Sequence, residues 1–458
     1  MNKSEITLGN RKSLLRWIAG FALAGLLAGA GPLGATPAAK VRCVPWATVH
    51  AGCTIATTYA TIQAAVNAAQ TFDVIYVGPG VYHESVTISE AGHSRDNLSL
   101  LGAQAGNDAR VGRTNPLKES VIDATGKGNS ALIVEAEAVV IDGFTVQGAT
   151  QGSANGIDLK GSNTPDVTPA NGAIVINNIV VNNNSGVALN TDGYGTPNTA
   201  GSFLIGAIVE HNYIKTNNAG SLAAGPGCGI WADGVQEAVI TQNSFFENKA
   251  SALCVEYAQN TTIANNTSLD DASFAQFTAT SNVVFSNNQG QNFAAQGTIG
   301  GITGSGDAAV GVGPGNQYLV ISDNTLQEGS APVVNGIAFT TVWGATAINS
   351  YVYVKNNTIS SFPQDGIVAE SATDPTAGTL TESMIFGNTV ENNGQDGIYL
   401  DGADVNGSNQ LFDNTAEGNT RFDCHDDTSG GGTAGTANLW FHNTGILSQP
   451  QGLCTRVP

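Results

Sequence analysis

The chain has few charged side chains and very few basic ones. Only 12% of its 458 residues are charged, and 37 acidic residues outnumber 17 basic ones, which gives a formal net charge of −20. A surface this acidic repels nucleic acid and anionic membranes, so neither is expected as a partner. An acidic polysaccharide would need bridging cations to bind here, whereas a neutral polysaccharide meets no such barrier.

Long apolar segments are also missing. Residues 1–39 hold four basic residues, an uncharged run at 17–30 and then small residues, which is typical of a secretory signal peptide. The uncharged run is too short to span a bilayer. We therefore expect cleavage between Ala35 and Lys40, no membrane span in the mature chain, and a secreted, periplasmic or extracellular protein. The remaining chain has 13 basic and 36 acidic residues, a net charge of −23.

The chain does contain a repeated unit, a short β-branched run that ends in Asn. The last Asn of three consecutive copies, Asn243, Asn266 and Asn288, returns after 23 and then 22 residues. Further copies, separated by insertions, end at Asn178, Asn212, Asn324, Asn357, Asn388 and Asn414. A period of this size with insertions predicts a solenoid.

The composition of the unit indicates which solenoid. Its apolar runs of two to four residues are too short for helices, and polar residues, Asn and Gly separate them. A second strand opens at pairs such as Gly229-Ile230, so one coil holds about three short strands. We expect the Asn to occupy the turn because it tolerates positive φ, and its amide to bond from coil to coil. Insertions at one position of the coil would line a groove.

These residues resemble the right-handed parallel β-helix superfamily, which includes pectate lyases and β-helix repeat proteins, over residues 58–425. The resemblance implies an all-β, single-stranded right-handed parallel β-helix. It does not imply one activity, because lyases, hydrolases, epimerases and adhesins share the fold. The expected organisation is a signal peptide at 1–39, a lead-in and amphipathic cap helix at 40–73, the β-helix at 74–425, and a C-terminal cap at 426–458.

Six cysteines behind a signal peptide favour disulfides. Proximity in sequence suggests Cys43–Cys53 and Cys424–Cys454, one at each end of the solenoid. Cys228 and Cys254 would then join neighbouring coils, but the repeat places them three residues out of register. Unless a bulge absorbs that offset, they would lie too far apart to bond.

Aligning the coils on the Gly-Ile strand stacks polar residues into a column with a spacing of about 4.8 Å. Two carboxylates in such a column can hydrolyse glycosides, while a lysine can act as the base of a uronate lyase. The candidate catalytic residues are Asp192, Asp233, Glu256 and Lys249. The candidate substrate-binding residues are Asn190, His211, Lys215 and Trp231. Asp365, Asp396 and Asp401 form a second acidic group. A bound calcium ion would relieve the repulsion between these carboxylates. The alternative interpretation is that polar residues simply face water where a strand ends.

Two short motifs resemble those of known β-helix enzymes. Residues 190–193 resemble the N-T-D-G element of polygalacturonase-type hydrolases, which implies a catalytic carboxylate at Asp192, although the companion motifs are absent. Residues 80–84 resemble the G-x-Y-x-E opening of pectin methylesterases, whose catalytic aspartates are also absent, and we interpret them as first-coil structure.

The prediction from sequence is a secreted β-helix protein that binds polysaccharide along one long face, with cleavage by a lyase or hydrolase mechanism left open. The alternative is a non-catalytic envelope or extracellular protein with a structural or adhesive role. A periplasmic copper-insertion accessory protein would share the fold, but the coils hold only one methionine, Met384.

Overall fold

A computed structural model of the chain describes residues 39–45, 52–161, 168–190, 203–217, 227–293, 308–329, 333–339, 348–369, 380–402 and 407–456. Residues 39–458 form one compact unit. The predicted signal peptide at 1–39 lies outside the described residues except for its last position. None of the helices in the described ranges has the length and apolar character that a membrane crossing requires.

Three parallel sheets, here called A, B and C, run the length of the molecule, and the chain visits them in that order in each coil. Sheet A consists of Val41–Val44, Val74–Val77, Ser99–Leu101, Val140–Asp142, Ile174–Ile176, Ile208–Glu210, Val239–Thr241, Thr262–Ala264, Val284–Ser286, Val320–Ser322, Tyr353–Lys355, Met384–Phe386, Gln410–Phe412 and Leu439–Phe441. Sheet B consists of Gly80–Tyr82, Ser120–Asp123, Phe144–Gln147, Ile179–Val181, Tyr213–Lys215, Ser244–Phe246, Thr267–Leu269, Gln289–Gln291, Thr325–Gln327, Thr358–Ser360, Thr389–Glu391 and Thr415–Glu417. Sheet C consists of Val86–Ser89, Leu132–Glu135, Asn155–Leu159, Ser185–Leu189, Ile230–Asp233, Leu253–Glu256, Ala275–Thr278, Ala308–Val312, Asn335–Phe339, Ile367–Ala369, Ile398–Leu400, Cys424–Asp426 and Ser448–Gln449.

The architecture is the predicted right-handed parallel β-helix with three strands per coil. Two short strand pairs, Leu204–Ile205 with Val235–Gln236 and Asn349–Ser350 with Leu380–Thr381, add a narrow fourth strip. One continuous apolar core, which includes Ile240, Ile263 and Phe285, fills the interior. Two-residue alternation puts every second side chain of a strand into this core and the others on the outside.

The predicted asparagine ladder is confirmed, and it runs from Asn178 to Asn443. From Asn212 onward, each Oδ1 accepts the backbone N–H of the ladder asparagine one coil earlier at 2.8–3.1 Å and its Nδ2–H at 2.9–3.2 Å. Asn243, Asn266 and Asn288 are therefore successive rungs, as their spacing predicted.

The expected reason for asparagine in this turn is wrong in one respect. The left-handed conformation belongs to the residue before each ladder asparagine, for example Gln242 (φ 53°), Asn265 (φ 58°) and Asn287 (φ 56°). The ladder asparagine itself points inward, where its amide replaces water for buried backbone groups. A side chain that can both donate and accept is needed there, and Asn meets this requirement at every rung.

The N-terminal end is capped by the predicted amphipathic helix, which spans Ile62–Ala68 and buries Ile62, Ala65 and Val66. Glu84 accepts the N–H groups of Ile62 at 2.9 Å and Gln63 at 3.0 Å, so it satisfies the helix start. Arg95 donates to the Val66 carbonyl at the other end of the helix. The Gly80–Glu84 motif is thus accounted for by structure, as the sequence interpretation had it.

The C-terminal end is closed by the segment 427–438. The Thr433 hydroxyl accepts the N–H of Trp440 at 2.9 Å and donates to its carbonyl at 3.0 Å, so it occupies the free edge of sheet A. The Trp440 indole donates to Asp426 at 2.7 Å. Strands of sheets A and C continue to Gln449, past residue 425, so the proposed boundary at 425/426 divides the strand Cys424–Asp426.

All three candidate disulfides form: Cys43–Cys53, Cys228–Cys254 and Cys424–Cys454. The offset expected for the middle pair is real, because Trp231, three residues after Cys228, is the register partner of Cys254. The expected separation is nevertheless wrong. Cys228 precedes its strand and follows a turn at Gly227 (φ 71°), which brings the two Cα atoms to 6.0 Å.

The insertions occupy two positions of the coil rather than the one expected. Residues 162–167, 191–202, 340–347, 370–379 and 403–406 follow a strand of sheet C, whereas residues 218–226, 294–307 and 330–332 precede one. Both positions adjoin sheet C. The variable parts of the chain are therefore attached to the two ends of the strands of one sheet.

Candidate functional site

The outer face of sheet C, meaning the side chains of its strands that point away from the core, is unusual in being buried. Ile230 and Ala232 belong to the main core, so alternation turns Trp231 and Asp233 outward. Outward residues on the other sheets, such as Thr267 and Gln291 of sheet B, are exposed. By contrast, Ala188, Ala338 and Val368 on the outer face of sheet C are fully buried. Parts of this face are therefore shielded from bulk water, while others, such as Glu256 and Gln276, are partly exposed.

Two carboxylic acids lie side by side on this face. Asp233 and Glu256 are register partners on the adjacent strands Ile230–Asp233 and Leu253–Glu256. Asp233 is 4% exposed, and its Oδ1 has no hydrogen-bond partner within the described ranges. The sequence predicted that these two residues are neighbours in one column, four positions after Gly229 and Ala252. Their register confirms this prediction.

Burial, and then the charge of Glu256, raises the pKa of Asp233 to about 8. Burial also raises the pKa of Glu256. Two carboxylates this close cannot both ionise easily, so the pair retains one proton at neutral pH. Such a pair suits acid catalysis, in which one carboxyl donates a proton and the other acts as an anion.

Trp231 and Asn190 adjoin the pair, as predicted. Trp231 is buried against the Cys228–Cys254 disulfide on the outer face, in a small apolar cluster separate from the main core. Asn190 is also buried, in the left-handed region (φ 62°), and donates to the Gly234 carbonyl at 2.8 Å. Asp192, the fourth member of the predicted cluster, lies outside the described residues.

The basic candidates are not brought to this face. His211 lies in the turn between sheets A and B and bonds Gln242 at 3.0 Å. Lys215 ends a strand of sheet B, with its Nζ 5.2 Å from the ring centroid of Tyr213. Lys249 is exposed in the turn before Leu253–Glu256, at the end of that strand opposite Glu256. Closeness in sequence misled here, because residues 20 apart occupy different sheets of the same coil.

One residue next to the pair was missed. The pKa of the Tyr257 phenol is raised by burial and by the charges of Glu256 and Asp233, which shows that it lies near both carboxyls. Tyr257 directly follows Glu256 in sequence, so its position was available from the alignment of the coils. A phenol at this place can donate a hydrogen bond to a bound ligand.

The second acidic group has a structural role in the last coils. Asp365 Oδ1 accepts the N–H of Asp396 at 2.7 Å, and Asp396 Oδ1 accepts the N–H of Phe422 at 3.0 Å. Asp401, at the end of Ile398–Leu400, belongs to the column that contains Asp233. Within the described ranges no three His, Cys, Asp or Glu side chains are arranged to hold a metal ion. Calcium at these residues stays a prediction.

A buried histidine in the same coils was not predicted. His425 Nδ1 lies 2.7 Å from Asp396 Oδ2, and its Nε2 lies 3.0 Å from Asp427 Oδ1. Its ring stacks on Tyr399 with 4.5 Å between centroids, and Arg421 pairs with Asp396 at 3.5 Å. Burial alone would lower the pKa of His425, but the hydrogen bonds and charges of Asp396 and Asp427 outweigh it and raise the pKa above its usual value.

We expect this histidine to make stability depend on pH. A group whose pKa is raised by folding stabilises fully below its unfolded pKa, about 6.5 for His, and loses that contribution as pH rises through the folded pKa. H425Q should therefore lower the Tm most near pH 6 and progressively less at higher pH. The measurement is Tm as a function of pH for the wild type and the variant. The difference between the two Tm values is compared across pH, because the titration of Asp233 affects both proteins alike.

The matched control for this prediction is H442Q, since His442 is exposed beside Asp413 on another turn. A Tm difference between H425Q and wild type that stays constant from pH 5.5 to 9 would contradict the role of the His425 charge.

No protein-family model matches the chain, and no curated protein is significantly similar in sequence. Solved structures do match. The chain is similar to the catalytic unit of a GH87 α-1,3-glucanase from Streptomyces thermodiastaticus, with a TM-score of 0.56 and 13% identity over 84% of this chain. It spans 66% of that unit's length, just under two thirds.

Two further matches have lower TM-scores. A mannuronic acid-specific family 6 polysaccharide lyase from human gut microbiota matches with a TM-score of 0.48, 14% identity and 77% coverage of both chains. An alginate lyase from Paenibacillus has a TM-score of 0.42, 14% identity and coverage of 84% of this chain and 96% of that one. All three neighbours are polysaccharide-active enzymes by their descriptions, and the likeness to the glucanase unit shows a shared fold.

Proposed function

We propose that this protein binds polysaccharide across the outer face of sheet C and hydrolyses its glycosidic bonds with Asp233 and Glu256. The observation that carries the proposal is the buried carboxyl pair, in which Asp233 retains a proton at neutral pH. Burying a carboxyl whose Oδ1 has no hydrogen-bond partner in the described part of the chain costs stability, and a catalytic role gives a reason to keep it.

The roles follow from the two environments. Burial and the charge of Glu256 keep the proton on Asp233 at neutral pH, so Asp233 donates that proton to the glycosidic oxygen as the bond to the leaving sugar breaks. Glu256, as the anion, attacks the anomeric carbon, and water then releases the sugar while Asp233 takes back a proton. The backbones of these register partners stand about 4.8 Å apart, so carboxyls extending side by side from them would lie nearer the ~5–5.5 Å separation of retaining glycosidases than the ~6.5–9.5 Å of inverting ones. Retention of anomeric configuration is therefore expected.

β-Elimination is the less suitable chemistry for this face. A uronate lyase needs a cation beside the substrate carboxylate and a base for the C5 proton. Lys160 is at the level of Asn190 in the same column, but it pairs with Asp158 at 3.2 Å. The exposed Lys249 lies at the other end of its strand.

The test is hydrolysis by the purified mature protein of a panel of soluble polysaccharides. New reducing ends should appear with at least one member, and NMR of the first product should show the anomeric configuration of the substrate. Unsaturated products absorbing near 235 nm would instead indicate elimination. Binding to a glycan with no release of reducing ends from any of them would contradict hydrolysis and favour the non-catalytic alternative.

A further inference from the structure

We infer that the polysaccharide accepted by this face carries no anionic groups. This inference rests on the proposed function and adds the charge class of the substrate. It comes from the distribution of charged residues around sheet C.

The described outer face is acidic beyond the catalytic pair. Six carboxylic acids lie on it: Glu135, Asp158, Asp233, Glu256, Asp401 and Asp427. Its basic groups are already engaged, since Lys160 pairs with Asp158 and His425 lies between Asp396 and Asp427. Arg421, in the turn that leads into the last of these strands, pairs with Asp396. Every cation of this face thus has a carboxylate partner from the chain itself.

The chain segments attached to the ends of these strands have the same sign of charge. The eight connections at 162–167, 191–202, 218–226, 294–307, 330–332, 340–347, 370–379 and 403–406 contain no Lys, Arg or His. Their six acidic residues are Asp166, Asp192, Asp307, Glu370, Asp374 and Asp404. The 13 basic residues of positions 40–458 all lie in other parts of the sequence.

Burial strengthens the effect of these charges. Asp233 is 4% exposed, and its register partner Glu256 is the anion of the pair, so a second negative charge brought beside Glu256 would be little screened by water. A uronate or sulfate group would add such a charge at each sugar and remain unpaired. Like charges across an interface cost several kcal/mol, roughly, when water is excluded. A neutral sugar can instead donate its hydroxyl hydrogens to the same carboxylates.

The experiment compares matched polymers. Wild-type protein is given uncharged glucans, xylan and galactomannan, the carboxymethylated derivative of whichever of these binds best, and polygalacturonate and alginate, each with and without calcium. Binding is measured by isothermal calorimetry and cleavage by reducing ends. We expect binding to an uncharged polymer, at least tenfold weaker binding to its carboxymethyl derivative, and less than a twofold change for the uncharged polymer between 50 and 500 mM NaCl.

Two variants separate local charge from net charge. D401K reverses a charge in the column of Asp233, and E417K makes the same reversal on an exposed position of sheet B. D401K should recover binding of the carboxymethyl derivative at least threefold, whereas E417K should not. Equal recovery by both variants would overturn the inference, because net charge alone would then be responsible.

The result can be distinguished from failure of the proposed function. Hydrolysis of polygalacturonate or alginate that is lost in D233N would overturn the charge inference and leave the hydrolase mechanism standing. Tight binding of an uncharged polymer without cleavage would overturn the hydrolase mechanism and leave the charge inference standing.

Discussion

D233N should lower the turnover number of hydrolysis by at least about a thousandfold, at the upper part of the range for loss of a general acid. Asparagine has the shape of the protonated carboxyl but no proton of comparable acidity to give to the glycosidic oxygen. Because wild-type Asp233 is neutral at pH 7, the variant should bind substrate with an unchanged Kd. The measurement is kcat and KM on the polysaccharide identified in the panel, with Kd from calorimetry.

The pH profile provides a second readout of the same prediction. Asp233 must be protonated and Glu256 ionised, so kcat/KM should form a bell whose alkaline limb falls near pH 8. Stability also has a defined sign. Folding raises the pKa of Asp233 above its unfolded value, so the wild type loses stability as pH rises toward 8, and D233N should be relatively more stable at pH 9.

Two control variants make the same acid-to-amide changes as D233N and E256Q at positions away from the site. D270N alters an aspartate in a left-handed turn after sheet B, a conformation that asparagine adopts readily, and E417Q alters an exposed glutamate of sheet B. Both should keep full activity, while E256Q should be as inactive as D233N. Activity of D233N within tenfold of the wild type would remove Asp233 from the mechanism.

Replacing a single ladder asparagine should be the most damaging change to stability. Asn266 Oδ1 accepts the N–H of Asn243 at 2.9 Å and its Nδ2–H at 3.1 Å, and Asn266 Nδ2 donates to the Ile240 carbonyl at 3.1 Å. N266A leaves these buried groups without partners, at a cost of about 2–4 kcal/mol. Urea unfolding followed by circular dichroism measures the loss as a lower midpoint.

The control for N266A is T267A, the next residue, which is exposed on the outside of sheet B. It should cost less than about 0.5 kcal/mol. A midpoint for N266A that matches T267A would show that the ladder contributes little, and the stability of the stack would then have to come from apolar burial alone.

The fold was predictable because the spacing of the repeated unit gives the register between neighbouring strands. The 23- and 22-residue returns of Asn243, Asn266 and Asn288 fix which strands are neighbours, and the two-residue alternation then fixes which side chains face outward. The same logic placed Asp233 opposite Glu256. The spacing could not show which residue of the turn adopts positive φ. The left-handed conformation was therefore assigned to the ladder asparagine, one position too late.

The site was predictable only along the column. His211, Lys215 and Lys249 lie close to Asp233 in sequence, but a coil changes sheet every few residues, so sequence neighbours diverge around the axis. His425 was missed for the opposite reason. Its partners Asp396 and Asp427 come from different coils, and only the register of Tyr399 with His425 brings them together. The Cys228–Cys254 disulfide was mispredicted for a related reason. Cys228 lies before its strand, so its position cannot be read from the strand register.

The Thr433 hydroxyl has a consequence for how this protein behaves at high concentration. A stack of parallel strands ends in a row of unused peptide groups, which is the surface from which amyloid-like fibres grow. Here one side chain fills both the donor and the acceptor of Trp440, so a second molecule finds no free template on that strand. This edge of sheet A is thereby closed by the protein's own sequence, and crowding need not extend it into a filament by strand addition there.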